Sequence, residues 1–206
     1  MQLVIGNYNY SSWSLRAWLA MKVFGFPFDA IRIPLYGPGA KQEILKHSPA
    51  GKVPTLKDGG IVVWDSLAIM EYLAEKNPKV WPAASAERAR ARSVSAEMHS
   101  GFPNLRHHMS MNVRKRYPGK GRTPETLEEI RRIEAIWSQA KGPFLFGPFS
   151  AADAMYAPVA LRFRTYEVQV SNRAYMEAVL ALPAMQEWIA AAEREVESIP
   201  QFDMYE

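Results

Sequence analysis

The sequence predicts two parts: an α/β N-terminal domain of order β-α-β-α-β-β-α over residues 1–78, and an all-α C-terminal domain over residues 86–206. Three observations predict this. Short apolar runs alternate with helical periodicities as far as Asn77. Asp58-Gly59-Gly60 separates two strand-like runs, the signature of a hairpin. From Ala84 onward no stretch has strand character of useful length. The boundary falls between about Asn77 and Glu87.

Leu3-Val4-Ile5 reads as the first strand, followed by the polar loop Asn7 to Ser12. Leu15, Trp18, Leu19 and Lys22 fall at helical spacing, so a helix runs to about Phe24 and Gly25 ends it. Phe28 to Ile33 alternates apolar and polar residues, a second strand. A loop from Pro34 to Gly39 leads to a short helix, Ala40 to Lys46. Val53 to Lys57 and Ile61 to Trp64 form the hairpin. Ser66 is expected to cap a helix carrying Leu67, Met70 and Leu73 and ending near Asn77-Pro78.

The second part is expected to open with one long helix, about Ala86 to Arg116, bent or broken at Pro103. Thr123-Pro124-Glu125 starts the next, with Thr as cap and Pro at the first position; Gly142-Pro143 stops it. Ser150-Ala151-Ala152-Asp153 is a capping box, and the helix it opens contains Pro158. The last helices lie around Asn172 to Leu180 and Ala184 to Glu197.

The composition is that of a protein with a sizeable core: 48% hydrophobic and 22% charged residues. With 25 Lys and Arg against 21 Asp and Glu, the net charge of +4 suits an anionic small molecule. The basic residues cluster between Arg88 and Arg122, which reads as a solvated helix face and loop; nucleic acid is not an expected partner. The chain has no cysteine, which excludes disulfides, a cysteine nucleophile and thiolate metal ligands. Met1 to Gly6 lacks the features of a signal peptide, and no apolar run approaches the ~18 residues of a membrane span. A soluble, cytoplasmic protein without a membrane partner is expected.

Several chemistries are absent from the sequence. There is no G-x-S-x-G elbow, no phosphate-binding P-loop and no G-x-G-x-x-G after a strand. Of the four histidines, His107 and His108 would point about 100° apart on a helix and cannot share a metal, so no metal site is expected. Three pieces remain. Ser11-Ser12-Trp13-Ser14-Leu15-Arg16 lies where a loop becomes a helix, beside unpaired N–H groups and the positive helix end. A hydroxyl there either caps the helix or favours a bound anion, a thiolate included. Gly51-Lys52-Val53-Pro54 precedes a strand, where proline cannot donate to a ladder. Asp65-Ser66 leads a helix and either caps it or holds a carboxylate.

These pieces, their spacing, and Phe149-Ser150-Ala151-Ala152-Asp153 together resemble the glutathione S-transferase superfamily across nearly the whole chain. Ser11-Ser12-x-Ser14-x-Arg16 is most similar to the serine-type classes, including zeta and related bacterial groups. The resemblance implies a thioredoxin-like N-terminal domain, glutathione as co-substrate, a homodimer, and transfer of the glutathione thiolate to a small electrophile. It makes Ser11 the donor to the sulfur, with Ser12 as nearest rival and Tyr10 and Tyr8 as further ones. Trp13 would border the tripeptide, Lys52 would pair with its glycine carboxylate, and Val53 would bind its cysteinyl backbone beside a cis Pro54. Asp65 and Ser66 would hold the γ-glutamyl end, with Asp65 replacing the family's usual glutamate or glutamine. Candidates for the second-substrate site are Trp13, Phe102, Arg106, Met109, Met111 and Phe163. The Ser150/Asp153 box would be structural. Two other activities stay open: a glutathione-dependent isomerase of acidic substrates, served by Arg106 or Arg114, and a non-catalytic binding protein on the same fold.

Overall fold

The structure, a computed structural model, describes residues 1–205; Glu206, the last residue of the expected helical domain, lies outside the described residues. The N-terminal part contains β1 (Gln2–Ile5), α1 (Ser12–Val23), β2 (Asp29–Arg32), α2 (Ala40–Leu45), β3 (Thr55–Asp58), β4 (Ile61–Trp64) and α3 (Ser66–Lys76), in the expected order. The four strands form one sheet, β2-β1-β3-β4. β1 and β2 are parallel, so their connection must cross the sheet, and α1 makes that crossing. The other pairings are antiparallel, with Leu3 facing Ala30 on one side and Leu56 on the other.

The two-residue period of β1 sorts the core. Leu3 and Ile5 join the main core with Leu15, Leu19 and Leu73 from α1 and α3. Val4 points to the opposite face and packs with Ile33 and Ile44 under α2.

The helical part contains α4 (Ser85–Ser100), α5 (Pro103–His108), α6 (Pro124–Trp137), α7 (Ala151–Tyr166), α8 (Arg173–Ala181) and α9 (Pro183–Arg194). α7 is buried along almost its whole length and packs against α1, α4 and α8. Its start is the expected box: Asp153 accepts the Ser150 N–H at 2.8 Å and the Ser150 hydroxyl at 2.9 Å. It also accepts the Leu145 N–H at 2.9 Å, tying the preceding loop to the helix. No helix among the described residues is long and apolar enough to cross a membrane.

Three expectations are corrected. The long helix from 86 to 116 is two helices. Gly101 lies so close to the preceding turn that a Cβ would meet the Glu97 carbonyl at 2.8 Å, and Phe102 is left-handed (φ 61°). Pro103 then starts α5 instead of bending a continuous helix. Residues 109–116 are not helical because their carbonyls have other partners: α7 supplies Arg162 to Met109, Tyr166 to Ser110, Thr165 to Asn112 and Arg164 to Val113. α6 ends at Trp137, short of Gly142, where Asn172 takes the Trp137 carbonyl at 2.7 Å. Finally, Asp65 caps α3, accepting the Leu67 N–H at 2.8 Å, and Ser66 is the first helical residue.

Candidate functional site

A cavity of about 940 Å³ opens between the sheet-side loops and the helices. Three structures converge on it: the start of α1, the turn before β3 and the start of α3.

At the start of α1, Ser11 occupies the cap position, yet neither serine caps the helix. The Ser11 hydroxyl donates to Ser14 Oγ at 2.7 Å, and Ser14 Oγ accepts the Gly6 N–H at 3.0 Å. Ser12 Oγ accepts from Arg162 Nη2 at 3.3 Å. The first-turn N–H groups of α1 therefore have no hydroxyl partner, and the positive helix end faces the cavity.

Of the tyrosine rivals, Tyr10 lines the cavity and Tyr8 does not. The Tyr10 hydroxyl donates to Asp203 at 2.9 Å and receives Arg114 Nη2 at 3.2 Å. Tyr8 does not line the cavity; its ring packs on Trp18 and Trp188. Burial and the nearby Glu195 raise its phenol further.

At the turn before β3 the Val53–Pro54 bond is cis. Lys52, Val53 and Pro54 all line the cavity. Lys41 joins them: its ammonium donates to the Gly51 carbonyl at 2.8 Å, placing a second cation at this end. Nothing in the sequence singled out Lys41, a lone cation in a short helix.

At the start of α3, the Ser66 hydroxyl is fully buried, lines the cavity and has no partner among the described residues. Asp65 spends one oxygen on the cap and turns the other to His99 Nε2 at 2.6 Å. Burial raises the Asp65 carboxyl, but the hydrogen bonds from His99 and Leu67 outweigh this and hold it below the usual carboxylate value. His99 was missed by sequence reasoning; it comes from α4, some 34 residues away, and no local motif marks it.

The second-substrate candidates divide. Trp13, Arg106 and Met111 line the cavity. Phe102, Met109 and Phe163 do not; all three belong to the core. Phe163 points from α7 into the helical part and packs on Trp137 at 5.2 Å. Phe102 and Met109 flank the short α5, whose turns direct both inward. Arg114 is also absent from the cavity, because it binds the carbonyls of Glu195 and Glu197.

Arg162 takes their place, 6% exposed and lining the cavity. Its position follows from the bond to the Met109 carbonyl, which no sequence motif reveals. Arg106 holds the carbonyls of Gly101 and Met98, and its guanidinium lies 5.0 Å from the Trp13 ring. Arg16, buried beneath, lies 4.3 Å from the same ring. Among the described residues no carboxylate pairs with Arg16, Arg106 or Arg162. Burial, then the neighbouring Arg106, lowers Arg162 to about 9, and burial lowers Arg106 too. Buried cations without counter-charges are costly, and a bound anion would supply what the chain lacks. Among the described residues no cluster of His, Asp and Glu could hold a metal ion.

Known proteins share both parts of this fold. Residues 10–76 match the N-terminal domain model of glutathione S-transferase, and residues 121–191 match its C-terminal domain model. Maleylacetoacetate isomerase of Rattus norvegicus is 29% identical over 197 residues, spanning 89% of this chain and 90% of that protein. A glutathione transferase homologue from Burkholderia, solved with bound glutathione, superposes with a TM-score of 0.73 at 23% identity, covering 94% of this chain and 98% of that one. Maleyl pyruvate isomerase, a bacterial zeta-class protein, superposes with a TM-score of 0.68 at 21% identity, covering 96% of this chain and all of that one. With both domain models matched in order over the greater part of its length, the chain belongs to the glutathione S-transferase family.

Proposed function

We propose that the chain binds glutathione in this cavity and uses its thiolate to attack a small electrophile that carries a carboxylate. One observation carries the reading: the start of α1, with Ser11 at its tip and no side-chain cap, opens onto a cavity lined by the buried Arg162 and the half-buried Arg106, neither of which has an acidic partner among the described residues. Lys52, aided by Lys41, would receive the glycine carboxylate. Val53 would present its backbone to the cysteinyl residue, and Ser66 with Asp65 would hold the γ-glutamyl end. An ordinary thiol, with pKa about 8.5, is only roughly 3% ionised at pH 7. On binding, the Ser11 hydroxyl would turn from Ser14 to the sulfur and stabilise the thiolate, whose proton leaves to water. The sulfur then forms a bond to the electrophilic carbon. A leaving group departs, or a double bond opens and the adjacent carbon takes a proton.

The isomerase reading is favoured by Arg106 and Arg162, which suit an unsaturated acid, and by the names of the relatives above. There the sulfur adds to a double bond, the new single bond rotates, and the thiolate is expelled unchanged. Calorimetry with glutathione followed by a panel of neutral and carboxylate-bearing electrophiles tests both readings. Turnover that consumes thiol is conjugation; geometric isomerisation at constant thiol is the isomerase. A chain that binds no glutathione contradicts both, and points to the non-catalytic alternative.

The same reading includes two domains, 1–78 and 86–206, a cytoplasmic location and a homodimer. The exposed edge strand β4, with Ile61 51% and Val62 37% exposed, supports a second copy as cover. Sedimentation showing only monomers would remove the dimer.

A further inference from the structure

The chain does not end at α9. Residues 195–205 turn back across the cavity side of the molecule, and they are held there by polar contacts. The Glu195 carboxylate accepts the N–H groups of Tyr8 and Asn9, at 2.8 and 2.9 Å, just before α1. Ser110 donates to the Phe202 carbonyl at 3.0 Å, and the Tyr205 hydroxyl donates to the His108 carbonyl at 2.8 Å. The tightest cluster surrounds Asp203, which is 9% exposed. It accepts the Tyr10 hydroxyl at 2.9 Å, Asn112 Nδ2 at 2.7 Å and the Ser198 hydroxyl at 2.5 Å.

That cluster fixes the residue beside it. Phe202 lines the cavity, with its ring 5.8 Å from Tyr10. It also meets Tyr36 edge-to-face at 5.5 Å and 74°. Tyr36 reaches it from the opposite rim, on the loop between β2 and α2, in a left-handed conformation (φ 62°) and 66% exposed. A large tyrosine held that far out, in a backbone region where non-glycine residues are uncommon, needs a reason. Its ring contact in this structure is Phe202. The two aromatics thus join the rims of the cavity across one side, next to the loop that ends in Ser11.

We propose that Phe202 is a specificity-determining residue: latched in place by Asp203 and Tyr10 and closed against Tyr36, it forms the apolar wall on which the group attached to the glutathione sulfur packs. The inference rests on the glutathione reading. It adds to that reading an apolar wall in the same cavity as the cationic residues. Arg106 and Arg162 would take a substrate's charged end, and Phe202 its apolar end. The Tyr10 hydroxyl, bonded to Asp203, acquires a role as a positioning group for this wall.

Calorimetric titration with S-methylglutathione and S-benzylglutathione reads the wall without requiring turnover. In the wild-type protein the benzyl compound should bind more tightly than the methyl one. In Phe202→Ala that preference should shrink by roughly three- to tenfold, the worth of one aromatic contact. Phe202→Tyr should restore most of it. Tyr10→Phe keeps Phe202 but loosens its latch, and should weaken the preference by an intermediate factor. If Phe202→Ala binds S-methylglutathione and keeps the full wild-type preference, Phe202 merely covers the surface and the proposal is overturned. If the wild-type protein binds neither compound, the glutathione reading fails and the proposal falls with it, an outcome recognisable before any variant is made.

Discussion

The helices α7 and α1 both begin on serine, and they use it in opposite ways. At α7 the start is closed. Ser150 and Asp153 satisfy each other, Asp153 also takes the Leu145 N–H, and the carboxylate is fully buried. At α1 the start is open. Ser11 and Ser12 are nearly as buried, but their hydroxyls turn to Ser14 and Arg162, away from the first-turn N–H groups. A helix start costs the fold when its donors are left unpaired. The box ties off the start of α7 within the fold, whereas at α1 only the Tyr10 carbonyl comes in, taking the Ser12 N–H at 3.0 Å, and no side chain caps the turn on the wall of the cavity. Two serine starts with the same local sequence logic are thus separated by what their hydroxyls touch: one is tied into the loop before α7, and the other turns away from its helix on the cavity wall.

The largest expected effect is at the closed start. Asp153→Ala leaves the N–H groups of Ser150 and Leu145 without an acceptor in the interior. A lost cap costs about 1–2 kcal/mol, and the second orphaned donor adds about 1–2 more. For a chain of this length that is a fall in Tm of roughly 5–15 °C. Ser150→Ala should fall less. The folded fraction of both variants should bind glutathione as the wild type does. A wild-type Tm would show that the box does not anchor α7; intact folding with lost binding would place it in the site.

Next comes the far end of the cavity, where charge, not capping, is at stake. Lys52→Ala should raise the KM for glutathione and leave kcat nearly unchanged, since a carboxylate pair formed equally in ground and transition states contributes uniform binding. The loss should be about 1.5–3 kcal/mol, or roughly ten- to a hundredfold. Lys41 stands close by, so Lys41→Ala should add to it in the double variant. A wild-type KM in Lys52→Ala would remove Lys52 from the site.

What the sequence discloses follows the range of the interactions. The succession of strands and helices along the N-terminal chain, the hairpin at Asp58-Gly59-Gly60 and the box at Ser150 are set by neighbours a few residues apart, and all were legible. The non-helical stretch 109–116 was not, because its carbonyls are bonded by α7, about 50 residues later. The same distance hides Arg162 and His99, which reach the cavity from helices that carry no motif at those positions. Phe102, Met109 and Phe163 erred in the other direction. Their apolar character fits core and cavity wall equally well, and only the packing of α5 and α7 separates the two. Ser11 was found, but whether it caps or waits for a ligand depends on Ser14 and Gly6, a contact no periodicity reveals.

The pKa of the glutathione thiol bound to wild type, Ser11→Ala, Ser12→Ala and Tyr10→Phe, followed by thiolate absorbance across pH, tests the open start of α1 most directly. A Ser11 hydroxyl that turns to the sulfur would favour its ionised form, so on the proposed reading its removal raises the bound thiol pKa. The expected rise is about one to two units, or roughly 1.4–2.7 kcal/mol. Thiolate absorbance at neutral pH should therefore fall, and the rate profile should move to higher pH, while the fold and most glutathione affinity remain. Ser12→Ala should move the value less and Tyr10→Phe hardly at all. A rise in Ser12→Ala without one in Ser11→Ala would shift the role by one residue. A rise confined to Tyr10→Phe, or bound thiols that titrate alike in all four proteins, would contradict the claim that this helix start is held open for a thiolate.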